Sequence, residues 1–304
     1  MKNKIDKKII VILGPTASGK SDIAIKLAQK FNGEIISVDS RQIYTDMDIG
    51  SGKVTIEEQK MAPHWMLDIV SPKRNFSASQ FKKKADKIIA DILRRGKLPI
   101  LCGGTGFWIQ AIVDNAVYPE VKPDWELRNE LRNRTAEELF RKLQRLDPER
   151  AETIDWKNPV RLIRAIEICQ TLGKVPPKIE RSNSKYEFLQ IGIQRDKEVL
   201  HKRIRLNVQK RFAQGMIAEV ENLKTLGLSW KKIESFGLSY KLIPQYLRGE
   251  ITDKEELLEK IYLAEKNYSK RQMTWFAKNK KILWIENYED IEKEMASFLK
   301  KQSC

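Results

Sequence analysis

One loop near the N-terminus constrains the fold of this chain more than any other feature. It has the spacing G-x-x-x-x-G-K-S and consists of Gly14, Pro15, Thr16, Ala17, Ser18, Gly19, Lys20 and Ser21. A strand-like apolar run, Lys8–Leu13, precedes this phosphate loop, and a helical pattern, Asp22–Ala28, follows it. In that context the backbone N–H groups of the loop and of the helix N-terminus surround an anion, so the loop predicts a phosphate site. Lys20 would reach the outer phosphate oxygens, and Ser21 would bind Mg²⁺.

Strands and helices alternate through about the first 113 residues, which is typical of a parallel sheet covered by helices. Further strands are predicted at Glu34–Val38 and Leu98–Cys102. The alternation stops near Pro119, where the sequence becomes helical and rich in charges, and a strand pattern returns at Tyr186. We therefore predict an α/β fold: a P-loop NTPase-like parallel sheet core formed by residues 1–116 and 186–304, with a helical insertion domain formed by residues 117–185.

The C-terminal part of the chain is predicted to be helical and strongly basic. Long helices are expected over Lys197–Leu226 and Glu255–Lys280, with a last strand at Ile282–Ile285. The whole chain has 304 residues and a formal net charge of +16. Residues 195–281 hold 20 Lys and Arg against 11 Asp and Glu, a net +9, which is more than half of that excess. This distribution indicates a polyanionic partner, with nucleic acid as the first candidate.

Composition also excludes several classes of protein. No apolar run approaches the roughly 20 residues that a membrane span needs, so we expect a cytoplasmic protein without a membrane partner. The three cysteines lack metal-ligand spacing, so they are predicted to be reduced thiols, with Cys102 in the core. We expect the protein to be a monomer.

Two polar positions at predicted strand ends are candidates for chemistry near the phosphate loop. Asp39 follows the strand Glu34–Val38, and ligands of open α/β sheets bind where such strands end. Its carboxylate would bind Mg²⁺ or accept a proton from a nucleophile, or it would only cap the following turn. Thr105 lies in a second glycine turn, Gly103–Gly106, as a hydroxyl donor to the same site or as a helix N-cap.

Basic residues farther along the chain are candidates for anion contacts. Arg203, on the first long C-terminal helix, would stabilise a leaving phosphate, or it would lie on a solvated face. Arg161 and Arg164 share one helix face and suit contact with a phosphate backbone, with surface ion pairs as the alternative. The segment Lys270–Trp275, which contains Arg271 and Gln272, suits stacking on single-stranded RNA. The alternative for this segment is an amphipathic helix with Met273 and Trp275 in the core.

Taken together, these stretches resemble the tRNA dimethylallyltransferase (tRNA isopentenyltransferase) family over about residues 8–285. Besides the phosphate loop, the matching segments are ISVDSRQIYTDMDIG at 36–50, PHWMLDI at 63–69, FSASQF at 76–81, GGTGFWIQAI at 103–112, RLIRAIEI at 161–168 and KRQMTWF at 270–276. The phosphate loop alone is unspecific, whereas DSRQIY, the GGT turn and RQMTW in that order are very specific.

The resemblance implies transfer of a dimethylallyl group from dimethylallyl diphosphate to N6 of the adenosine 3′-adjacent to the anticodon of tRNA. It makes Asp39 the general base, and makes the phosphate loop, with Mg²⁺ and Arg203, the diphosphate site. Thr105 becomes an active-site contact, and the helical insertion resembles the arm that grips the anticodon stem-loop. The tRNA contacts that it implies are Asp39, Ser40, Arg41, Gln42, Thr105, Arg128, Arg161, Arg164, Arg271 and Gln272.

Three other functions are weighed against this one. An adenylate isopentenyltransferase would use a free nucleotide as acceptor, which the insertion and the net charge argue against. A P-loop small-molecule kinase would bind and hydrolyse ATP, but no clear apolar strand ending in a hydrolytic Asp is present, although Asp68 follows apolar residues. A non-catalytic RNA-binding protein would not need Lys20, Ser21 and Asp39 together.

Overall fold

The computed structural model describes residues 7–176 and 186–301. Its centre is a six-stranded sheet in which every named pairing is parallel, with the strand order β3-β2-β4-β1-β5-β6. Parallel strands buried on both faces read as continuous apolar runs, which is why the sequence pattern located most of them. The strands are β1 (Lys8–Leu13), β2 (Gly33–Val38), β3 (His64–Trp65), β4 (Leu98–Gly103), β5 (Glu187–Ile193) and β6 (Leu283–Ile285).

Helices pack on both faces of this sheet. Alternate residues of β1 belong to different core layers, because side chains alternate across a strand: Val11 joins one layer and Ile12 the other. The first ten helices are α1 (Lys20–Lys30), α2 (Ile56–Met61), α3 (Ala78–Arg94), α4 (Gly106–Val113), α5 (Trp125–Leu131), α6 (Ala136–Leu146), α7 (Pro148–Thr153), α8 (Pro159–Leu172), α9 (Lys197–Ala213) and α10 (Met216–Thr225). The last four are α11 (Trp230–Glu234), α12 (Ser239–Leu247), α13 (Lys254–Phe276) and α14 (Tyr288–Lys300).

The predicted single helix over residues 197–226 is wrong. The chain forms α9 and α10 instead, and Gly215, with φ of 94°, stands between them as the N-cap of α10. That left-handed conformation is accessible to glycine at little cost and interrupts the helical path. The other long helix, α13, ends at Phe276, four residues before the predicted end at Lys280.

The chain divides into two compact units. The first contains the described parts of residues 1–114 and 183–304, and the second contains the described part of residues 115–182. The second unit consists of α5 to α8 around a small apolar core that includes Leu131, Leu143 and Ile166. The predicted domain boundaries were residues 116 and 186; the residues just before the latter lie outside the described part of the chain.

Two further features of the first unit bear on the sequence predictions. Cys102 is buried at 7 % exposure, which confirms its predicted place in the core. Lys8, at the start of β1, is fully buried, and its ammonium group donates hydrogen bonds to the carbonyls of Phe298 and Leu299 at the end of α14 (2.8 and 3.3 Å). Across residues 7–176 and 186–301, no helix combines the length and the apolar character that crossing a bilayer requires.

Candidate active site

The phosphate loop connects the carboxyl end of β1 to the N-terminus of α1. Its turn needs left-handed backbone at Ala17 (φ 62°) and at Gly19 (φ 89°). The hydroxyl of Ser18 is buried inside this turn, and within the described residues it has no hydrogen-bond partner. Because an orphaned buried hydroxyl costs stability, its position at the anion-binding loop indicates that a polar ligand completes it.

Lys20 lies beside the loop that would receive the phosphate. Its ammonium group donates to the carbonyl of Pro15 at 3.2 Å. Burial lowers the pKa of Lys20, and the interactions with Cys102 and Asp39 oppose this shift. The pKa is lowered because the nearby negative charges do not fully compensate the burial of the ammonium group, and a bound anion would supply the missing counter-charge.

Cys102, at the end of β4, lies beneath the same loop. Its thiol approaches the carbonyl of Lys20 at 3.6 Å and interacts with Ser21, while burial raises its pKa to about 11. The thiol is therefore protonated and unreactive at neutral pH. Its interactions with Lys20, Ser21 and Asp39 also place those three side chains in one neighbourhood.

Two arginines contact the phosphate loop through its backbone carbonyls. Arg203 on α9 donates from Nε to Ala17 at 2.8 Å, and a Cβ added to Gly19 would lie 3.3 Å from its Nη2. Arg195, two residues after the end of β5, donates from Nε to the Ser18 carbonyl at 3.2 Å and from Nη1 to the Glu286 carbonyl at 2.7 Å. The sequence analysis placed Arg203 here but missed Arg195, although its position just after a strand was the available signal.

Asp39 follows β2 at the same edge of the sheet. Its Oδ1 accepts hydrogen bonds from the backbone N–H groups of Arg41 (2.8 Å) and Gln42 (3.4 Å). Within the described residues Oδ2 accepts no hydrogen bond, so one oxygen caps the turn while the other is available for a proton. The two interpretations of Asp39 as a cap and as a base are therefore compatible in a single carboxylate.

Thr105 connects the second glycine turn to the Asp39 turn. Its Oγ1 accepts from the backbone N–H of Ser40 at 3.2 Å, and its own N–H donates to Val38 at 3.3 Å. Thr105 is the N-cap residue of α4, as the alternative interpretation predicted, but its side chain makes no capping hydrogen bond to that helix. Gly103 and Val38 touch so closely that a Cβ at residue 103 would lie 2.1 Å from the Val38 carbonyl oxygen.

Tyr268 on α13 is a residue that the sequence analysis did not single out. Its ring lies 5.2 Å from the guanidinium carbon of Arg41 and 5.6 Å from that of Arg271. Burial raises the pKa of Tyr268, and the nearby charge of Asp39 adds to the shift, while hydrogen bonds with Arg41 and Thr105 oppose it. The phenol therefore stays protonated near Asp39.

Gln272, predicted as a tRNA contact, is instead buried at 6 % exposure with its side-chain amide bonded inside the protein. Arg41 and Gln42, also predicted as tRNA contacts, likewise use some of their hydrogen-bonding groups within the protein. Arg41 donates from Nε to the Phe236 carbonyl at 2.8 Å, and Gln42 exchanges hydrogen bonds with Ser37 (2.9 Å) and Gly52 (3.0 Å). The side chains of Gln272, Arg41 and Gln42 thus bond to other parts of the protein, whereas Arg271 is exposed.

The second unit contains the other three predicted contact arginines. Arg128 donates to both carboxylate oxygens of Glu167 at 2.8 Å, and Arg164 pairs with the same carboxylate, which is 1 % exposed. Burial raises the pKa of Glu167, but its hydrogen bonds with the two arginines outweigh that effect and hold the pKa below its usual range. Arg161 faces outward, with 55 % of its side chain exposed and a 3.4 Å contact to Asp155.

The donor set near the loop fits a Mg²⁺ ion only as part of a complex with a phosphate ligand. Nowhere in residues 7–176 and 186–301 do three or more His, Cys, Asp or Glu residues form a cluster able to bind a metal. Mg²⁺ commonly binds one or two protein oxygens together with substrate phosphates and water. Ser21, in the first turn of α1 and in the same loop as the orphaned Ser18 hydroxyl, offers one such protein oxygen.

A parallel sheet with a phosphate loop after β1 and a carboxylate after β2 defines a P-loop enzyme that acts on a phosphorylated substrate. Comparison with known proteins makes the class narrower. A family model described as IPP transferase matches residues 42–280. The chain belongs to the IPP transferase family, as the sequence resemblance predicted.

The named relatives cover nearly the whole chain. It is 38 % identical to the tRNA dimethylallyltransferase of Thermoanaerobacter sp. (strain X514), over 96 % of this chain and 97 % of that protein. It is 42 % identical to the tRNA dimethylallyltransferase of Acetivibrio thermocellus, over 91 % of each. These are enzymes that transfer a prenyl group, and so is the present chain.

Solved structures agree with the fold. The full-length tRNA isopentenylpyrophosphate transferase of Bacillus halodurans aligns with a TM-score of 0.73 at 32 % identity, covering 97 % of this chain and 98 % of that one. A eukaryotic dimethylallyltransferase captured acting on tRNA aligns with a TM-score of 0.80 at 25 % identity, covering 96 % of this chain and 77 % of that one. The predicted α/β fold with a P-loop-like core is thereby confirmed.

Proposed function

We propose that this enzyme transfers a dimethylallyl group from dimethylallyl diphosphate to N6 of the adenosine 3′-adjacent to the anticodon of tRNA. The observation that carries the proposal is the unbonded Oδ2 of Asp39, in the same neighbourhood as Lys20 and the phosphate loop. This arrangement suits a nucleophile that loses a proton while a phosphate group leaves. The names of the relatives support tRNA as the acceptor.

In the proposed reaction the bond between the allylic carbon and the diphosphate oxygen breaks, and a bond from that carbon to N6 of adenine forms. The amine proton goes to Asp39, and the bonding electrons leave with the diphosphate. An exocyclic amine is a weak nucleophile, so removal of its proton helps. The allylic carbon tolerates positive charge, so stabilisation of the leaving group contributes most to the rate.

The phosphate loop, Lys20 and Arg203 would stabilise the leaving diphosphate. The backbone N–H groups at the N-terminus of α1 would face the anion, and Lys20 would add a buried positive charge. Arg203 holds the Ala17 carbonyl and lies against Gly19, which directs its remaining donors toward the loop. Ser21 would hold Mg²⁺, which would supply further neutralisation of the diphosphate charge.

The acceptor base would have to leave the stacked anticodon loop to reach Asp39, at a cost of a few kcal/mol. Contacts between basic side chains and the RNA backbone would offset this cost. Arg271 on α13 and Arg161 on α8 are exposed and suited to that role. Because its proposed substrate is tRNA, we infer that the protein is cytoplasmic, and we propose that it acts as a monomer.

The decisive experiment is incubation with unmodified tRNA and dimethylallyl diphosphate, followed by mass analysis of the nucleosides. We expect N6-dimethylallyladenosine in the tRNA, and no such product when Mg²⁺ is removed with a chelator. AMP is offered in competition with tRNA, because preference for AMP would identify an adenylate isopentenyltransferase instead. ATP hydrolysis without prenyl transfer would favour the kinase alternative.

Arg161→Ala tests the proposed role of the helical unit. The variant is expected to bind tRNA several-fold more weakly. The slope of log K against log [salt] should become less negative by about 1, because one phosphate contact is lost. Binding is measured by titration of tRNA at several salt concentrations. Arg94→Ala is the matched control, because Arg94 is 79 % exposed on α3 and its partner is the neighbouring Asp91. An effect on the KM for dimethylallyl diphosphate alone would contradict the assignment.

A further inference from the structure

The side-chain amide of Gln272 joins the two glycine-containing loops of the site. Its Oε1 accepts the backbone N–H of Thr16 in the phosphate loop at 2.9 Å. Its Nε2 donates to the carbonyl of Gly104, in the second glycine turn, also at 2.9 Å. One buried amide therefore spans the gap between the loop that binds phosphate and the turn that contains Thr105.

The second glycine turn is shaped to admit this amide. A Cβ added to Gly104 would lie 2.2 Å from the Gln272 Nε2 atom, and one added to Gly106 would lie 2.3 Å from the Trp275 ring. Real Cβ atoms do not approach that closely, so glycine at both positions lets the Gln272 amide and the Trp275 ring pack against the second glycine turn. The sequence G-G-T-G and the sequence R-Q-M-T-W are therefore two halves of one packing arrangement.

From Gly104, the connection to Asp39 runs through neighbouring residues of the chain and one further hydrogen bond. Gly104 is followed by Thr105, whose Oγ1 accepts the N–H of Ser40 at 3.2 Å. Ser40 is the neighbour of Asp39, whose Oδ1 is fixed by the turn that follows. Gln272 and Thr105 thus connect the phosphate loop to the turn that contains the proposed base, through hydrogen bonds from their side chains to backbone groups.

From this arrangement we propose that Gln272 is a positioning residue that sets the spacing between the diphosphate site and Asp39. The inference rests on the proposed function, because it concerns the two groups that act on the leaving group and on the nucleophile. Glutamine suits the position since it offers one acceptor and one donor at the end of a long side chain. Methionine has a similar shape and offers neither bond of this kind, whereas glutamate can accept from Thr16 but cannot donate to Gly104 when ionised.

The spacing matters because a displacement of about 1 Å between reacting groups can lower a rate by about 10²-fold. We therefore expect Gln272→Met to lower kcat by about 10- to 100-fold and to raise the KM for dimethylallyl diphosphate. We expect the Kd for tRNA to stay within about twofold, because the side chain is buried and makes no contact with the RNA. Gln272→Glu is expected to weaken donor binding further, since it adds a negative charge beside the diphosphate.

The test measures kcat, the KM for dimethylallyl diphosphate and the Kd for tRNA in wild type, Gln272→Met and Gln272→Glu. Asn267→Met is the control, because Asn267 is an exposed residue on the same helix. A rise in the tRNA Kd with an unchanged donor KM would overturn the inference and restore Gln272 as an RNA contact. Unchanged kinetics in Gln272→Met would overturn it as well. If wild type itself does not prenylate tRNA, the proposed function has failed rather than this inference.

Thr105→Val provides a second route if Gln272→Met does not fold. It removes the Oγ1 acceptor for Ser40 while keeping the shape of the side chain, and the same pattern of lower kcat with intact tRNA binding is expected. Thr105→Ser, which keeps the hydroxyl, should recover most of the lost rate. Where both single variants fold, the fall in kcat of the double variant Gln272→Met/Thr105→Val should be smaller than the product of the two single falls, because both side chains act through one connection. Independent, multiplicative effects would overturn the proposed connection.

Discussion

Asp39→Asn is expected to lower the turnover of prenyl transfer by on the order of 10²-fold or more, while tRNA affinity changes little. The amide keeps an oxygen that can accept the N–H groups of Arg41 and Gln42, so the turn after β2 should persist. What it loses is the ability to take the proton of the adenine amine. Asp39→Ala should lower turnover at least as much, because it also removes the turn cap.

The expected size of this loss follows from the position of the carboxylate. The charge of Asp39 acts on Lys20, so the proposed base lies within electrostatic range of the phosphate loop. Without the base, the amine must attack while both of its hydrogens stay bound, and no carboxylate stabilises the positive charge that develops on nitrogen. The deficit should therefore appear in kcat rather than in the KM for either substrate.

Asp46→Asn is the matched control for this substitution. Asp46 lies in the same loop, seven residues after Asp39, and its side chain is exposed. Single-turnover measurements with enzyme in excess over tRNA separate the chemical step from product release. Unchanged single-turnover rates in Asp39→Asn would remove Asp39 from the role of base, and a large fall in the Asp46→Asn rate would show that the effect is not specific to the carboxylate beside Lys20.

Sequence reasoning located the residues whose signal is local. The phosphate loop has a fixed spacing between a strand and a helix, and the structure brings Asp39, Thr105 and Arg203 close to it. Asp39 directly follows its predicted strand and Thr105 lies in the glycine turn after another, and parallel strands bring their carboxyl ends to one edge of the sheet. The positions of Asp39 and Thr105 therefore depend on a pattern of a few residues, whereas Arg203 contacts Ala17 from 186 positions away in the sequence.

The connection through Gln272 depends on contacts far apart in the sequence. Residues 104 and 272 are separated by 168 positions, and no local pattern announces their hydrogen bond. A signal does exist on α13, because the polar residues Glu265, Ser269 and Gln272 lie at helical spacing on one face and are all buried. Buried polar residues need partners, so this face indicates internal hydrogen bonds rather than contact with RNA.

The misassigned helix over residues 197–226 has a different cause. The apolar spacing continues past Gly215, so periodicity alone favours one helix, whereas the backbone of Gly215 is left-handed. A glycine inside a helical pattern permits either outcome, and packing around it decides between them. In the second unit, the pairing of Arg128 with Glu167 joins residues 39 positions apart, which the sequence pattern also does not reveal.

Lys20→Met is expected to lower kcat/KM for dimethylallyl diphosphate by on the order of 10²- to 10³-fold, because a buried cation facing the leaving group is lost. The same change should raise the melting temperature of the protein without ligand. Burial lowers the pKa of Lys20 in the folded state, which means that the charged form of this side chain reduces the free energy of unfolding. Methionine has a similar length and carries no charge to desolvate.

The sign of the pH dependence gives an independent check on this explanation. Because the folded pKa of Lys20 lies below the unfolded value, the unfolded chain binds more protons between these two values. The contribution of Lys20 to stability is therefore least favourable below the folded pKa and improves as the pH rises toward the unfolded value of 10.5. The difference in melting temperature between Lys20→Met and wild type should shrink over the same range.

Binding of the leaving group should reverse the order of stabilities. Diphosphate with Mg²⁺ supplies the counter-charge that Lys20 lacks, so it should raise the melting temperature of wild type and have little effect on Lys20→Met. Lys26→Met, at an exposed position on the same helix, should respond to diphosphate as wild type does. A melting temperature of Lys20→Met below that of wild type without ligand, or an equal response to diphosphate in both proteins, would show that Lys20 stabilises the fold through its own contacts instead of being held ready for the anion.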